Sequence, residues 1–203
     1  MDTIILAIIS LIILLFSIIL HEIAHGTVAY MLGDPTAKLA GRLTLNPLKH
    51  LDPIGSVLLP LVLFLSTQGA MVFGWAKPVP INPFNLTDKR WGELKVGIAG
   101  VAVNFFIAIA FSVLARFFYV SDSFFAIVSF AAVLNFALGI FNLLPIPPLD
   151  GSHVLFSFLG EKLSDFKIFM QQYGIFILFF LIFWGVNWIF DISSQLFYLI
   201  SGR

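Results

Sequence analysis

The stretch from Ile4 to Met31 is almost entirely apolar, yet it carries His21-Glu22-Ile23-Ala24-His25 toward one end. A helix needs about 20 apolar residues to cross a bilayer, and this run exceeds that. Ionisable side chains within a span are costly and face the protein interior or a water-filled cavity, so three titratable groups in five residues mark a functional site. Two imidazoles beside a carboxylate point to a metal ion.

The rest of the chain agrees with a membrane setting. Of 203 residues, 60% are hydrophobic and 11% charged, with a mean hydropathy of +1.02, too few polar groups to cover a water-soluble globule. The 24 phenylalanines read as lipid-facing and helix-packing surface. Net charge is zero and no basic block, low-complexity run or internal repeat occurs, so nucleic acid is not an expected partner. There is no cysteine, which excludes disulfides and thiolate ligands and leaves nitrogen and oxygen to hold any metal. The N-terminal run has Asp2 where a secretory signal would carry positive charge, and it is nearer a full span than a signal core, so it is expected to be retained.

Four stretches are long enough to span: Ile4 to Met31, Leu94 to Val120, Phe124 to Leu144, and about Met170 to Ile200. A fifth, Ile54 to Phe73, holds Gly55, Pro60 and Gly69 and either crosses or re-enters. If it does not cross, Lys38, Arg42, Lys49, Lys77, Lys89, Arg90, Lys95, Lys162 and Lys167 share one side, with Arg116 and Arg203 opposite. Short cytoplasmic loops carry the excess of Lys and Arg, which favours the re-entrant reading and puts the His-Glu motif toward the cytoplasmic half. Ser121-Asp122-Ser123 is then a tight external turn. Thr36 to Thr44 and Trp75 to Ile81 alternate and are bounded by Gly and Pro, which predicts two short strands at the membrane edge walling a hydrated cleft. The expected architecture is an all-α polytopic membrane protein with four to six transmembrane helices, a small membrane-associated β element and a re-entrant or extra short helix, forming one integral-membrane domain over residues 1–203.

On a helix, residues i and i+4 share a face, so His21 and His25 can present two nitrogens to one ion with Glu22 beside them. The H-E-x-x-H spacing suits metal-assisted peptide hydrolysis, in which the ion activates water and the glutamate takes its proton. A catalytic zinc keeps three protein ligands, so a third comes from elsewhere. Asp150 follows Pro145, Pro147 and Pro148, which stop a helix after Leu144 and leave an unwound stretch from which a carboxylate can point inward. Asp150 also suits a helix N-cap before Gly151-Ser152-His153. His153 competes as third ligand, and so does His50, although its Pro-flanked loop with Lys49 and Asp52 favours an exposed or interfacial histidine.

With these residues in hand, the chain resembles the site-2 proteases, the intramembrane zinc metalloproteases. The resemblance rests on His21-Glu22-Ile23-Ala24-His25 and on Asn142-Leu-Leu-Pro145-Ile-Pro-Pro-Leu-Asp150-Gly151, which matches the family's N-x-x-P-x(4)-D-G pattern. Gly100-Val101-Ala102-Val103-Asn104 is similar to the weaker G-P-x-x-N helix motif. Leu45-Asn46-Pro47-Leu48-Lys49-His50 and Gly74-Trp75-Ala76-Lys77-Pro78-Val79-Pro80 look like loops of a compact bacterial and archaeal subgroup. The resemblance implies one zinc ion held by His21, His25 and Asp150, with Glu22 as general base and Asn142 hydrogen-bonding the substrate backbone or developing oxyanion. Asn142 would otherwise cap the carbonyls of the broken helix. It also implies that Asn104 bonds within the bundle or lines the cleft, and that His153 falls back to packing around the site. Val101 stands where the family has proline, which removes a kink and makes catalytic duty for Asn104 less secure. The three-residue external turn and the stop at Arg203 leave no expected room for an appended PDZ or CBS domain.

The implied substrate is a transmembrane protein, cut within or near its spanning segment, by an enzyme of a prokaryotic cell membrane whose site faces the cytoplasmic side. A membrane metal transporter is the alternative from another class. It accounts for the histidines but not for Glu22, and Val113 to Ser129 offers only Arg116, Asp122 and a few hydroxyls toward a continuous polar route.

Overall fold

The computed structural model describes residues 3–68, 74, 76–88, 91–159 and 163–202. Four of its helices are long and apolar enough to cross a membrane: Ile4–Met31, Gly92–Phe117, Asp122–Asn142 and Ser164–Phe183. The helices in full are α1 (Thr3–Met31), α2 (Thr36–Leu39), α3 (Leu59–Ser66), α4 (Gly92–Phe117), α5 (Asp122–Asn142), α6 (Asp150–Leu159), α7 (Ser164–Gly185) and α8 (Asn187–Ser201). The chain is an all-α polytopic membrane protein.

α4 is the centre of the bundle, packing against α1, α5, α6 and α8. Small residues let the backbones approach, as is usual where lipid removes the hydrophobic drive between helices. Ala108 and Ala115 of α4 meet Val128, Ala132 and Phe136 of α5 and Phe197 of α8 in one buried cluster. The dipoles are matched on α4, with Glu93 in the first turn and Arg116 in the last. α5 starts at Ser121, whose Oγ accepts from the Phe124 N–H at 3.2 Å.

α1 ends in a Schellman turn. Gly33 has φ +103°, its N–H bonds the Tyr30 carbonyl at 3.1 Å, and the Asp34 N–H reaches the Ala29 carbonyl at 2.9 Å. The buried Asp34 carboxylate then ties that end to the 82–85 loop: it accepts from the Asn82 N–H at 2.7 Å, Asn85 Nδ2 at 2.9 Å, and both the N–H and hydroxyl of Thr36.

No strand occurs among the described residues, which corrects the expected β element. A helical turn forms instead, closed by Leu39 N–H to Pro35 carbonyl and Ala40 N–H to Thr36 carbonyl bonds, and Asp34 Oδ1 accepts from the Thr36 N–H just ahead of it, so local side-chain bonding overrides the alternation of Thr36 to Thr44. Residues 76–81 form neither helix nor strand, and Trp75 lies outside the described residues. Prolines at 78 and 80 supply no N–H for a ladder. The Ile54 to Phe73 stretch forms a π-helical turn, Pro53–Leu58, running into α3, capped by Asp52 Oδ1 on the N–H groups of Ile54 and Gly55. Together these reach roughly 20 Å at 1.5 Å per residue, short of a hydrocarbon core of about 30 Å. Residues 69–73 lie outside the described residues. The fourth apolar stretch is likewise not one helix: it breaks at Val186, between α7 and α8.

Burial alone would raise the Asp34 carboxyl, but its hydrogen bonds from Thr36, Asn85 and the Asn82 amide hold it below the ordinary aspartate range. A depressed carboxyl stabilises the fold above its unfolded value of about 3.9 and loses that contribution as pH falls through the folded value. We expect Asp34→Ala to cost about 3 kcal/mol in detergent-solubilised protein, given about 1.5–3 kcal/mol for a bond to a charged group. Thermal denaturation against pH should show wild-type stability falling below about pH 4, and that dependence should shrink in Asp34→Asn.

Candidate metal centre

His21 and His25 lie one turn apart on the face of α1 that meets α4, and both are buried. Their rings stand edge to face with centroids 4.5 Å apart, and their Nε2 atoms approach to 2.9 Å. The turn after α5 returns the chain to them. α5 ends at Asn142, Pro145, Pro147 and Pro148 follow in the turn, and α6 opens on Asp150. Asp150 Oδ2 sits 3.0 Å from His21 Nε2 and 3.3 Å from His25 Nε2. These three side chains could hold a metal ion, with ligand atoms within 4.8 Å of one another. Space for them comes from α4: a Cβ on Gly100 would stand 2.4 Å from His25 Nε2 and 2.6 Å from His21 Cε1.

Hydrogen bonds on the far side of each ring decide where its proton sits. His25 Nδ1 lies 2.7 Å from the Val96 carbonyl, which can only accept, so Nδ1 carries the hydrogen. His21 Nδ1 lies 2.5 Å from Asn104 Oδ1. Which way Asn104 faces follows from a chain of partners: its Nδ2 donates to Asn135 Oδ1 at 3.0 Å, and Asn135 Nδ2 donates to the Ala131 carbonyl and to Ser17 Oγ, each at 2.9 Å. Since the Ala131 carbonyl only accepts, every amide in the relay is oriented, and His21 carries its hydrogen on Nδ1 as well. Two lone pairs on Nε2 therefore face a carboxylate oxygen, with no hydrogen between them in the neutral imidazoles. Asp150 Oδ2 is buried without a donor. Three converging acceptors of this kind call for a cation, and two imidazoles with one carboxylate suit zinc.

The cavity beside this cluster is about 390 Å³ and is lined by His21, Glu22, His25, Val79, Glu93, Asn142, Asp150 and His153, among others. Glu22 Oε2 accepts from the Val79 N–H at 2.7 Å. The segment carrying Val79 is clamped from behind: Lys77 N–H bonds the His50 carbonyl at 2.9 Å, and buried Arg42 donates through Nη2 to the carbonyls of Lys77 and Pro78. Asn142, the last residue of α5, lines the cavity, while its Nδ2 donates to the Leu138 carbonyl at 3.0 Å.

Of the sequence candidates, His21, His25 and Asp150 meet in one cluster with Glu22 and Asn142 on the same cavity wall. His153 stands apart at the mouth, half-exposed, 3.6 Å from Glu93 Oε2. His50 takes no part in the cluster. It is buried rather than exposed or interfacial, its Nε2 bonded to the Thr44 carbonyl at 2.8 Å, because the Asn46 to His50 turn folds its side chain under the loop. Asn104 proves to bond within the bundle, on His21. Asn135, Ser17 and Arg42 were not legible as partners of the site. Asn135 did carry a signal, an amide in the middle of an apolar span, where polar side chains seek interhelical bonds.

Removing a group that orients a metal-binding histidine typically lowers metal affinity 10–100-fold. Asn135→Leu should therefore weaken zinc binding by about that factor in chelator competition, although it touches neither histidine. Gly100→Ala should abolish zinc binding while circular dichroism retains the helix content, since its methyl would occupy the space of the imidazoles. Wild-type affinity in either variant would contradict this account of the cluster.

Comparison with known proteins agrees with this arrangement. The family model described as "Peptidase family M50" matches residues 119–182, which include α5 and the turn to Asp150. The chain is 37% identical over 179 residues to "Putative zinc metalloprotease YwhC" of Bacillus subtilis, an alignment covering 84% of this chain and 77% of that protein. It is 32% identical over 198 residues to "Putative zinc metalloprotease Rip2" of Mycolicibacterium smegmatis (92% and 74% covered) and 31% identical over 192 residues to the Rip2 of Mycobacterium tuberculosis (89% and 72%). No solved structure matches the chain significantly. With the H-E-x-x-H helix, the Asn142 to Asp150 turn and relatives aligned over most of both lengths, the chain belongs to peptidase family M50, the site-2 proteases.

Proposed function

We propose that this membrane metalloprotease hydrolyses a peptide bond within or beside the transmembrane segment of another membrane protein, using one zinc ion held by His21, His25 and Asp150. The observation that carries the reading is the convergence of three lone-pair donors with Glu22 and Asn142 on one cavity, among helices long enough to span the bilayer. Zinc bound there would supply Lewis acidity, lowering the pKa of water toward neutrality and polarising the scissile carbonyl.

The residues of the chain do the rest. Glu22 acts as general base, taking a proton from the attacking water and passing it to the leaving amide nitrogen. The Val79 N–H holds Oε2 and so aims the carboxylate, leaving Oε1 without a partner among the described residues. Asn142 uses one amide hydrogen on the Leu138 carbonyl and keeps the other for the substrate carbonyl oxygen as charge develops on it. Asn104 and the Val96 carbonyl keep both imidazoles in the Nδ1–H tautomer, so each Nε2 stays available.

A helical substrate must unwind before its carbonyl can be attacked. Residues 76–81, of which Pro78, Val79 and Ile81 line the cavity, offer it a surface, in the manner of strand addition. Because the N–H groups of Lys77 and Val79 are engaged, Pro78 and Pro80 have none, and Arg42 holds the carbonyls of Lys77 and Pro78, this segment would pair through the carbonyls from Val79 onward. The lysine and arginine distribution supports a cytoplasmic-side site, and the bacterial relatives support a prokaryotic cell membrane.

The test is cleavage of single-span membrane peptides by the zinc-loaded protein in detergent, with the cut mapped by mass spectrometry. Glu22→Gln should keep zinc and lose about 10²–10⁴-fold in rate, the usual contribution of a positioned acid–base group. His21→Ala or Asp150→Ala should lose metal and activity together. Full activity in Glu22→Gln would refute the general-base assignment, and cuts confined to soluble loops far from the span would refute the intramembrane reading.

A further inference from the structure

α8 has two faces of opposite character. Ile189, Ser193, Phe197 and Ser201, spaced by four, are buried where α8 packs on α4 and α5. On the opposite side, also spaced by four, Asn187, Asp191 and Gln195 are exposed, with Tyr198 continuing the stripe. None of Asn187, Asp191 and Gln195 makes a hydrogen bond or ion pair among the described residues.

The neighbours of α8 locate this stripe within the membrane. At one end Ile189 shares a groove with Leu138 and Phe141, near the end of α5. Toward the other, Phe197 packs with Val128 and Ala132 and lies 6.1 Å from Phe125 in ring centroids, and the Ile200 carbonyl accepts from Arg116 Nη1 at 3.0 Å. α8 thus runs alongside α5, a membrane-spanning helix, for most of its length. Asp191 follows Ile189 by two residues, about 3 Å along the axis, and precedes Phe197 by six, about 9 Å, which sets it beside residues 134–138 of α5, inside that helix's spanning length. Its side chain is too short to reach the headgroups, unlike a snorkelling Lys or Arg.

A carboxylate facing hydrocarbon at that depth is costly, and such residues normally face a partner. We propose that this face of α8 receives the transmembrane helix of another membrane protein that carries a lysine or arginine at matching depth. Asp191 pairs with the cation, and Asn187 and Gln195 hydrogen-bond along the helix on either side. Charge decides among the occupants. Acyl chains offer no donor. A second copy related by a two-fold axis along the membrane normal would set Asp191 against Asp191, which like charge opposes. Arg116, a cation at the Ser201 end of this helix, is engaged at the Ile200 carbonyl. α8 packs on α4 and α5 rather than on α1, so a helix docked here leaves the Glu22 cavity open.

The test uses the full chain in phosphatidylcholine vesicles with fluorescently labelled leucine-rich single-span peptides bearing a central Lys, Leu or Glu, read by energy transfer. The wild type is expected to bind the Lys peptide at least about tenfold more tightly than the Leu or Glu peptide. Asp191→Leu and Asp191→Asn should lose that preference at unchanged zinc content, and Asp191→Lys should transfer it to the Glu peptide. Equal binding of the Lys and Leu peptides by the wild type would overturn the proposal without reference to any variant. So would an undiminished Lys preference in Asp191→Leu, or transfer between labelled copies of the protein that Asp191→Leu abolishes.

Discussion

Two imidazoles and a carboxylate occupy one small volume inside an apolar bundle, and the rest of the molecule is arranged around making that tolerable. A single turn of α4 does much of it. Gly100 leaves the space that the rings fill, and four residues earlier the Val96 carbonyl accepts a hydrogen bond from His25 Nδ1. A side chain at the first position or a shift of the helix at the second would disturb the same two rings. This explains why α4 is the helix that most others touch: α1 brings the histidines to it, α6 brings the carboxylate, and α5 and α8 hold it from behind.

The two histidines are held by different means. His25 relies on backbone, which no substitution at Val96 removes. His21 relies on a relay of side chains, Asn104 to Asn135 to Ser17, drawn from three helices. Buried amides in such a setting must find partners, and here Asn135 places both of its amide hydrogens, on Ser17 Oγ and the Ala131 carbonyl, while Asn104 donates to Asn135 Oδ1. The relay therefore couples helix packing to the electronic state of one ligand: α1, α4 and α5 must be in register for His21 to present Nε2.

On the cytoplasmic side of the proposed orientation, the loops do comparable work. Asp34 draws the end of α1 and the 82–85 loop together, while Arg42 and the His50 carbonyl press residues 77–78 inward. The outcome is an N–H from Val79 on Glu22, so that the carboxylate is aimed by a segment 57 residues away in sequence. Backbone that joins no sheet is acceptable there because it lines a hydrated cavity.

Much of this was legible in the amino-acid order. Apolar runs of spanning length do not depend on partners, so the number and approximate place of the long helices could be read directly. H-E-x-x-H spacing places two imidazoles on one helical face whatever surrounds them, and the Pro-rich turn before Asp150 breaks a helix wherever it lies. What the order of residues left open was every question whose answer is a contact. By residue chemistry Asp150, His153 and, less favourably, His50 all competed as third partner; the family resemblance pointed to Asp150, and the return of α6 onto α4 is what brings its carboxylate to both imidazoles. Alternation at Thr36 to Thr44 suggested a strand, but Asp34 bonds the Thr36 N–H and a helical turn follows, and a strand needs a neighbour that 76–81, with its prolines, did not supply. Asn135 and Arg42 looked like isolated polar residues until packing showed what they hold. Periodicity and backbone restriction act within a few residues and so are determined locally. Hydrogen-bond direction and ligand geometry arise between segments far apart in the chain, and only the tertiary structure decides them.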